Sequence, residues 1–316
     1  TYASRVIRGL SEETAHRLRL YLRRSPAAEV PAGAEARVLP APRLWTHTRL
    51  AWEVRRRPPD ALFVPAHVLP MGVGVPTVVT VHDLGHRACP GAHTWSQRAY
   101  LEWTLRRHVR SATRLVVDSE STRDDLVSAF PSCAHRVRVA RLGVDEEMRP
   151  ANPAEVALAR AAVGLAEGRR YVLHVGTLQP RKNLARLLVA WRTVAGKWTD
   201  VDLVLAGRPG WGSQDLGQLA RGAGLAERVV LAGYVPREAL PGLYTGAVAL
   251  VHPSLYEGFG LTVAEAMACG TPVVVSRVSS LPEVVGDAGL QFDPLDAGQI
   301  ADRLGQVLSD ANLRRG

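Results

Sequence analysis

The chain has 316 residues, a length typical of about two domains. Hydrophobic residues make up 47% and charged residues 22%, with a mean hydropathy near zero, which is typical of a globular protein and excludes disordered, collagen-like and disulfide-scaffold classes. The three cysteines, Cys89, Cys133 and Cys269, lack a paired zinc spacing and are odd in number for a disulfide framework, so we expect a reducing, cytoplasmic location. Neither a signal-peptide h-region nor an apolar run approaching the ~20 residues of a membrane span occurs.

The net charge of +9 is concentrated in the first half of the chain. Residues 1–150 hold 23 arginines or lysines against 15 acidic residues, whereas residues 151–316 hold 16 against 15. A basic domain can steer anionic substrates or rest on an anionic membrane, so we expect peripheral membrane contact through this half. Nucleic-acid binding is disfavoured because no recognition-helix, ribonucleoprotein or aromatic-platform pattern accompanies the charge.

In chain order, the pattern first predicts a helix over 3–24 and then short apolar strands at 61–64, 77–81, 114–117 and 137–140. Helices are predicted between them at 96–110 and 120–129, the latter opening with the capping residues Ser119 and Ser121. Strands that are apolar throughout and alternate with helices indicate a parallel sheet covered on both faces.

A break near 143–168 separates a second unit of the same kind, so we predict an N-terminal domain over 1–145 and a C-terminal domain over 146–316. A polar helix lies within the break at about 153–163. Strands are then predicted at 171–175, 202–206, 228–231, 247–252 and 272–275, with helices at 183–195, 213–222, 237–245, 261–268 and 295–309. The fold class is therefore α/β, with two doubly wound parallel sheets and a cleft between them for ligands.

The most informative stretch runs from Val251 to Pro272 and is predicted to form strand, glycine-rich loop, helix and strand. Gly258 and Gly260 allow close approach of the backbone to a ligand, and the helix start that follows favours a phosphate group. Glu257 in the loop and Glu265 one turn into the helix offer acceptors for sugar or ribose hydroxyls. The alternative is a tight turn with two solvated glutamates.

Two further motifs follow predicted strands. Arg181 and Lys182 place two cations at a helix start, where the positive dipole disfavours them unless an anion is also bound. His82 and Asp83 follow the 77–81 strand in the other domain, where a structural histidine is the alternative. No metal-binding histidine spacing, nucleophile elbow or P-loop occurs, so metalloprotease, serine hydrolase and NTPase functions have no supporting motif.

Together these motifs resemble the retaining glycosyltransferases of family four, which have the GT-B fold of two Rossmann-like domains. The resemblance covers nearly the whole chain and is carried by the E-x7-E pair Glu257 and Glu265, Gly258-Phe259-Gly260, Arg181-Lys182-Asn183, His82-Asp83 and Ser119-Glu120-Ser121. It implies transfer of a sugar from a nucleotide-diphosphate donor to a glycan or lipid-linked acceptor, with retention of configuration and with neither cofactor nor essential metal.

The resemblance also implies roles for individual residues. Glu257 would bind donor-sugar hydroxyls, His82 would reach the donor sugar, and Arg181 and Lys182 would neutralise the leaving diphosphate. The implied donor-binding residues are Glu265, which would bind the ribose, and Gly258, Phe259, Gly260, Leu261, Thr177 and Val235. Asp83, together with His86 in the loop 84–95, would lie on the acceptor side.

The sequence departs from the family pattern in three places. Thr177 stands where members often have an arginine, and the family's first strand and its closing helices are not found, so we expect an internal part of a slightly longer enzyme. General likeness of the region 233–293 to bacterial mannosyltransferases makes GDP-mannose the expected donor. UDP-glucose or another donor fits the same motifs, and a truncated nucleotide-binding relic without turnover is the rival function.

Overall fold

A computed structural model describes residues 2–13, 16–25, 30–41, 44–65, 68–212 and 214–310. The strands in this part of the chain are β1 (Leu18–Leu22), β2 (Ala34–Val38), β3 (Leu62–Val64), β4 (Thr77–Val81), β5 (Arg114–Val117), β6 (Val137–Val139), β7 (Arg170–Val175), β8 (Val201–Ala206), β9 (Val229–Gly233), β10 (Ala249–His252), β11 (Val273–Ser276) and β12 (Gly289–Phe292). The α-helices are α1 (Tyr2–Glu13), α2 (Ala51–Arg56), α3 (Gly85–Ala88), α4 (Trp95–Ser111), α5 (Glu120–Ala129), α6 (Pro153–Ala162), α7 (Leu184–Lys197), α8 (Leu216–Gly222), α9 (Leu240–Thr245), α10 (Leu261–Ala268), α11 (Leu281–Val285) and α12 (Ala297–Ser309). None of the helices in these ranges is both long and apolar enough to cross a membrane.

The chain groups into two compact units that interleave in sequence. The first unit takes residues 1–82, 99–117 and 126–139, and the second takes residues 83–98, 118–125 and 140–316. The domain boundary after residue 145 stays a prediction.

The first unit contains a four-stranded parallel sheet in the order β3-β4-β5-β6. One face of its central strands is buried through Val79, Val81, Leu115 and Val117, and the opposite face, with Val78 and Val116, is partly buried. A separate parallel pair, β1 with β2, precedes it.

The helix predicted over 3–24 is wrong in its second half. The helix ends at Glu13, and residues 18–22 form β1 instead; residues 14 and 15 lie outside the described part. The sequence Leu18-Arg19-Leu20-Tyr21-Leu22 alternates with a period of two, and its pairing with β2 gives the backbone hydrogen-bond partners that a longer helix would otherwise supply. The β2 strand was not predicted, because Ala34–Val38 is only partly buried and carries Glu35 and Arg37.

The second unit contains a six-stranded parallel sheet in the order β9-β8-β7-β10-β11-β12. Numbered from the first strand of the unit, this is the doubly wound order 3-2-1-4-5-6 of dinucleotide-binding folds. The chain order reverses between β7 and β10, which are neighbours in the sheet. Ligands of such sheets bind outside the carboxyl ends of the strands at this point.

Both faces of this sheet are covered, as predicted. Val172 packs in the core shared with α7 and α12, whereas its neighbours Tyr171 and Leu173 pack in the core shared with α6 and α9. This alternation follows from the period of two along a strand. Trp191 of α7 is fully buried and donates its indole N–H to the carbonyl oxygen of Arg228.

Most predicted elements of this unit lie within one to three residues of the observed ones. The helix predicted at 213–222 begins at Leu216, and position 213 lies outside the described residues. The segment predicted as one helix at 237–245 is a 3₁₀ turn, Arg237–Ala239, followed by α9. The edge strand β12 was not predicted, because its four residues carry no continuous apolar run.

Candidate active site

The candidate site lies where the chain order of the second sheet reverses. β7 ends at Val175 and leads through Gly176 into a 3₁₀ turn, Pro180–Lys182. The neighbouring strand β10 ends at His252 and leads into the loop of Glu257. Because the carboxyl ends of parallel strands meet at one edge, the two loops with the predicted chemistry are adjacent.

Glu257 is the centre of a buried charge cluster. Its Oε1 accepts hydrogen bonds from Lys182 Nζ at 2.5 Å and from His252 Nε2 at 3.0 Å, and its Oε2 accepts one from Arg181 at 2.8 Å. Lys182, His252 and Glu257 are buried, and the Arg181 side chain is 17% exposed. The structure therefore brings together three residues predicted for this site and adds His252, which was not predicted.

The pKa values of the two motif glutamates are shifted in opposite directions. Burial alone would raise the pKa of Glu257, but Lys182, His252 and Arg181 outweigh it and hold the pKa well below its usual range. Burial lowers the pKa of Lys182, and Glu257 opposes this shift. Burial raises the pKa of Glu265, and the hydrogen bonds and charge that it meets do not compensate fully.

Glu265 has partners of its own within the second unit. Its Oε2 accepts a hydrogen bond from Tyr244 at 3.3 Å, and its Oε1 accepts a long one from Arg237 at 3.4 Å. Arg237 also forms a short ion pair with Asp145. Glu265 lies one turn into α10, as predicted, and its two hydrogen bonds are longer than the three at Glu257.

The glycine-rich loop is held by backbone contacts. Ser280 donates to the carbonyl oxygens of Glu257 at 3.0 Å and Phe259 at 2.8 Å. Gly260 has φ +102°, and a Cβ there would lie 2.7 Å from Leu281 Cδ2, so this position requires glycine. No side chain caps the start of α10 at Leu261, which leaves a helix N-terminus suited to an anion.

An earlier segment of the chain also contacts this loop. Ser119 Oγ donates to the carbonyl oxygen of Gly258 at 2.7 Å, and Thr122 Oγ1 donates to the same oxygen at 3.1 Å. Ser119 also accepts from the backbone N–H of Thr122 at 3.0 Å, which confirms the predicted cap of α5.

Tyr256 connects two further segments of the second unit. Its hydroxyl donates to Asp125 at 2.9 Å and accepts from the backbone N–H of Leu84 at 3.2 Å. Asp83 accepts from a backbone N–H at the start of α3 at 2.7 Å, and His86 is buried within that helix. His86 thus lies in a short helix and Asp83 just before it, and Tyr256 contacts the backbone at Leu84 between them.

His82 belongs to the first unit. Its Nε2 lies 3.0 Å from the carbonyl oxygen of Pro65, and its ring meets that of Tyr2 edge-on at 4.7 Å. These contacts orient the ring, while its role toward a donor sugar stays a prediction.

The remaining predicted donor-binding residues lie around close turns. Thr177 is exposed, and Val235 is partly buried against the core. The backbone N–H of Gly207 donates to the carbonyl oxygen of Gly233 at 2.6 Å, and the guanidinium of Arg208 lies 4.3 Å from the ring centroid of Tyr234. Within the described ranges, no group of three or more histidine, cysteine, aspartate or glutamate side chains could hold a metal ion.

Two family models match the chain. "Glycosyl transferases group 1" matches residues 156–316, and "Glycosyltransferase Family 4" matches residues 1–148.

Curated relatives match over most of the chain. O-antigen chain mannosyltransferase B of Escherichia coli is 36% identical over 299 residues, covering 94% of this chain and 75% of the relative. D-inositol 3-phosphate glycosyltransferase of Mycobacterium sp. (strain JLS) is 38% identical over 215 residues, covering 66% of this chain and 48% of the relative. The matched part therefore spans about half the length of the mycobacterial relative.

Solved structures with the same fold include WaaG, a glycosyltransferase involved in lipopolysaccharide biosynthesis, with a TM-score of 0.77, 19% identity and coverage of 98% of this chain and 86% of WaaG. HepE from Anabaena, crystallised with UDP and glucose, has a TM-score of 0.75 and 21% identity and covers 98% of this chain and 87% of HepE. These similarities, with the parallel sheets described above, confirm the predicted fold class, GT-B.

Proposed function

The chain belongs to the group 1 glycosyltransferases of family four, and from this membership we propose a specific activity. The enzyme transfers mannose from GDP-mannose to a glycan or lipid-linked acceptor, with retention of the anomeric configuration and without a metal ion.

The observation that carries this proposal is the cluster of Glu257 with Arg181 and Lys182 at the carboxyl ends of β7 and β10. Two cations and an uncapped helix start lie where a doubly wound sheet binds its ligand. Cations beside a carboxylate suit a ligand that has both negative charge and hydroxyl groups, because the cations attract the charge and the carboxylate accepts hydrogen bonds from the hydroxyls. A nucleotide sugar has both.

The proposed chemistry uses these groups as follows. The bond from the anomeric carbon to the diphosphate oxygen breaks, and the diphosphate leaves with the electron pair. The acceptor oxygen forms the new bond to the anomeric carbon on the face that the diphosphate leaves, and its proton passes to the departing diphosphate oxygen. Arg181, Lys182 and the N-terminus of α10 stabilise the charge that develops on the diphosphate, and Glu257 accepts hydrogen bonds from the donor sugar.

Mannose is proposed because the E. coli relative, named a mannosyltransferase, is similar over 94% of this chain. A second donor, UDP-glucose, is favoured by the fold similarity to HepE, which was crystallised with UDP-glucose. The rival function is a nucleotide-binding protein without turnover.

A donor panel tests the proposal. The chain is titrated with GDP-mannose, UDP-glucose and ADP-glucose, and its melting temperature is recorded, since a ligand that binds the folded state stabilises it. Nucleotide release is then measured with a panel of mannosides as acceptors. We expect stabilisation by GDP-mannose above the other donors and release of GDP; binding without release would support the rival function.

Two arms test the finer points. Proton NMR of the product should show an α-linked mannoside from the α-linked donor, whereas a β-linked product would contradict retention. Activity should survive EDTA, because Arg181, Lys182 and the α10 N-terminus supply positive charge at the proposed diphosphate site. Loss on chelation with recovery on addition of Mn²⁺ would contradict metal independence.

We further propose that the first unit contacts the anionic cytoplasmic face of a membrane. Trp52 is 48% exposed, with the guanidinium groups of Arg49 and Arg56 at 4.7 and 5.4 Å from its ring. An aromatic ring flanked by cations suits an anionic lipid interface. Co-sedimentation with phosphatidylglycerol vesicles should fall on Trp52→Ala and not on Trp211→Ala, an equally exposed tryptophan of the second unit.

A further inference from the structure

Two buried histidine rings lie beside Glu257. His174 of β7 and His252 at the end of β10 are both fully buried. Their ring centroids are 5.5 Å apart, and the ring planes differ by 29°, so the rings stack. The family resemblance gave neither residue a role.

The neighbours of each ring fix its protons. Glu257 is held ionised and can only accept, so His252 Nε2, at 3.0 Å, carries the hydrogen. His174 Nδ1 lies 3.1 Å from the carbonyl oxygen of Val251 and must carry its hydrogen for the same reason. The other nitrogen of each ring is buried without a hydrogen-bond partner. Burial lowers the pKa of His252 and lowers that of His174 to about 3, so both rings are neutral.

We propose that His252 is a positioning residue: its neutral Nε2–H fixes the Glu257 carboxylate, and the stacked ring of His174 holds His252 in place. The proposal rests on the nucleotide-sugar function proposed above and identifies how the site keeps its sugar-binding carboxylate in one orientation.

The physical reason is competition for the two cations. Arg181 and Lys182 both donate hydrogen bonds to Glu257. A diphosphate that binds these two cations competes with Glu257 for those hydrogen bonds. A carboxylate left with weaker bonds to these cations can change rotamer. The bond from His252 comes from a neutral ring within the protein core, so the diphosphate charge does not draw it away.

The test compares His252→Met, which removes the donor at similar volume, with His252→Gln, whose amide can replace the Nε2–H. Thr271→Val is the matched control, because Thr271 is buried in the same unit and its hydroxyl has no hydrogen-bond partner. Calorimetry gives the dissociation constants of GDP and GDP-mannose, and turnover gives kcat and KM. If GDP-mannose does not bind the unaltered chain, the proposed donor is refuted. The comparison is then made with the nucleotide sugar that the donor panel shows to bind, together with its nucleoside diphosphate.

We expect His252→Met to weaken GDP-mannose and lower kcat by about tenfold each, as for one lost hydrogen bond to a charged group, with GDP affinity within about twofold. His252→Gln should recover most of both losses. The proposal is overturned if His252→Met weakens GDP as much as GDP-mannose, if it leaves kcat unchanged, or if glutamine gives no recovery while the variant melts like the Thr271→Val control.

Discussion

Replacing each motif glutamate by glutamine separates the charge of the carboxylate from its shape. Glu257 forms ion pairs with both Lys182 and Arg181 inside the protein, whereas Glu265 meets Tyr244 and a half-exposed Arg237 through longer hydrogen bonds. We therefore expect Glu257→Gln to lower stability and Glu265→Gln to lower nucleotide affinity.

The magnitude follows from the cluster. Glu257→Gln removes the ion-pair partner of two largely buried cations, and removal of one partner of a buried ion pair costs about 3–5 kcal/mol. At about 2–4 °C lost per kcal/mol for a large domain, this gives a melting temperature lower by roughly 6–20 °C. Burial raises the pKa of Glu265, so a neutral side chain there is better tolerated, and we expect a loss within about 1 kcal/mol.

For nucleotide affinity, the two variants should rank in the opposite order, with the larger loss in Glu265→Gln. In Glu257→Gln, the diphosphate of GDP no longer shares Arg181 and Lys182 with a carboxylate, so GDP should bind at least as tightly as to the unaltered chain. Added GDP should therefore reduce the difference in melting temperature between Glu257→Gln and the unaltered chain. Glu265→Gln should weaken GDP and GDP-mannose alike, by about 1–3 kcal/mol for a hydrogen bond to a charged group.

The assays are differential scanning fluorimetry with and without GDP, and calorimetric titration of both variants with GDP and GDP-mannose. Equal losses of melting temperature in the two variants would refute the charge argument. Weaker GDP binding to Glu257→Gln than to Glu265→Gln would refute the division of roles.

Three further predictions concern single positions. Lys182→Ala should lower kcat by about a hundredfold and weaken GDP-mannose by less, because the diphosphate charge grows toward the transition state; equal changes in kcat and dissociation constant would make Lys182 a binding residue. Burial lowers the pKa of His174 to about 3, so below pH 6.5 the unfolded chain takes up a proton that the folded chain does not. The free energy of unfolding should therefore be highest above pH 6.5 and lower by about 2 kcal/mol at pH 5 in urea unfolding. Replacing His174 by phenylalanine should flatten this pH dependence, and an unchanged slope would contradict the argument. Gly260→Ala should cost about 2 kcal/mol or more from backbone strain and steric clash, and Gly164→Ala, at φ +69° in open space, should cost less in the same unfolding assay.

The fold of the second unit could be predicted because its strands are buried on both faces. Strands such as β8, which is apolar over 203–206, and β10 form buried apolar runs, and some helices of the unit begin at a clear cap, for example Asn152 before α6. The missed strands are those whose residues are only partly buried: β1 and β2 pair mainly with one another, and β12 lies at a sheet edge. Whether such a segment forms a strand depends on its pairing with a distant segment, and the local sequence does not identify that partner.

The site was predictable where a residue type was unusual for its position, as with the lysine at 182 in an arginine-rich chain. It was not predictable where a role depends on contacts between distant segments. Tyr256 joins Asp125 to Leu84, and Ser280 holds the backbone at Glu257, yet tyrosine and serine at these positions are ordinary loop residues in sequence. His252 ends an apolar strand and gave no signal apart from its five-residue spacing before Glu257.

The structure also changes the electrostatic interpretation of the site. The sequence indicates two cations that need an anion, and the anion they meet is Glu257 of the same chain. Each of the two cations has Glu257 as an ion-pair partner, so the cluster can stay folded without ligand, while its net charge of +1 still favours an anion. Donor binding then becomes an exchange, in which diphosphate oxygens compete with a carboxylate for the same two cations. While the cations bind the diphosphate, the hydrogen bond from the neutral His252 ring keeps the Glu257 carboxylate oriented toward the sugar, so we expect it to affect the affinity for GDP-mannose and not that for GDP.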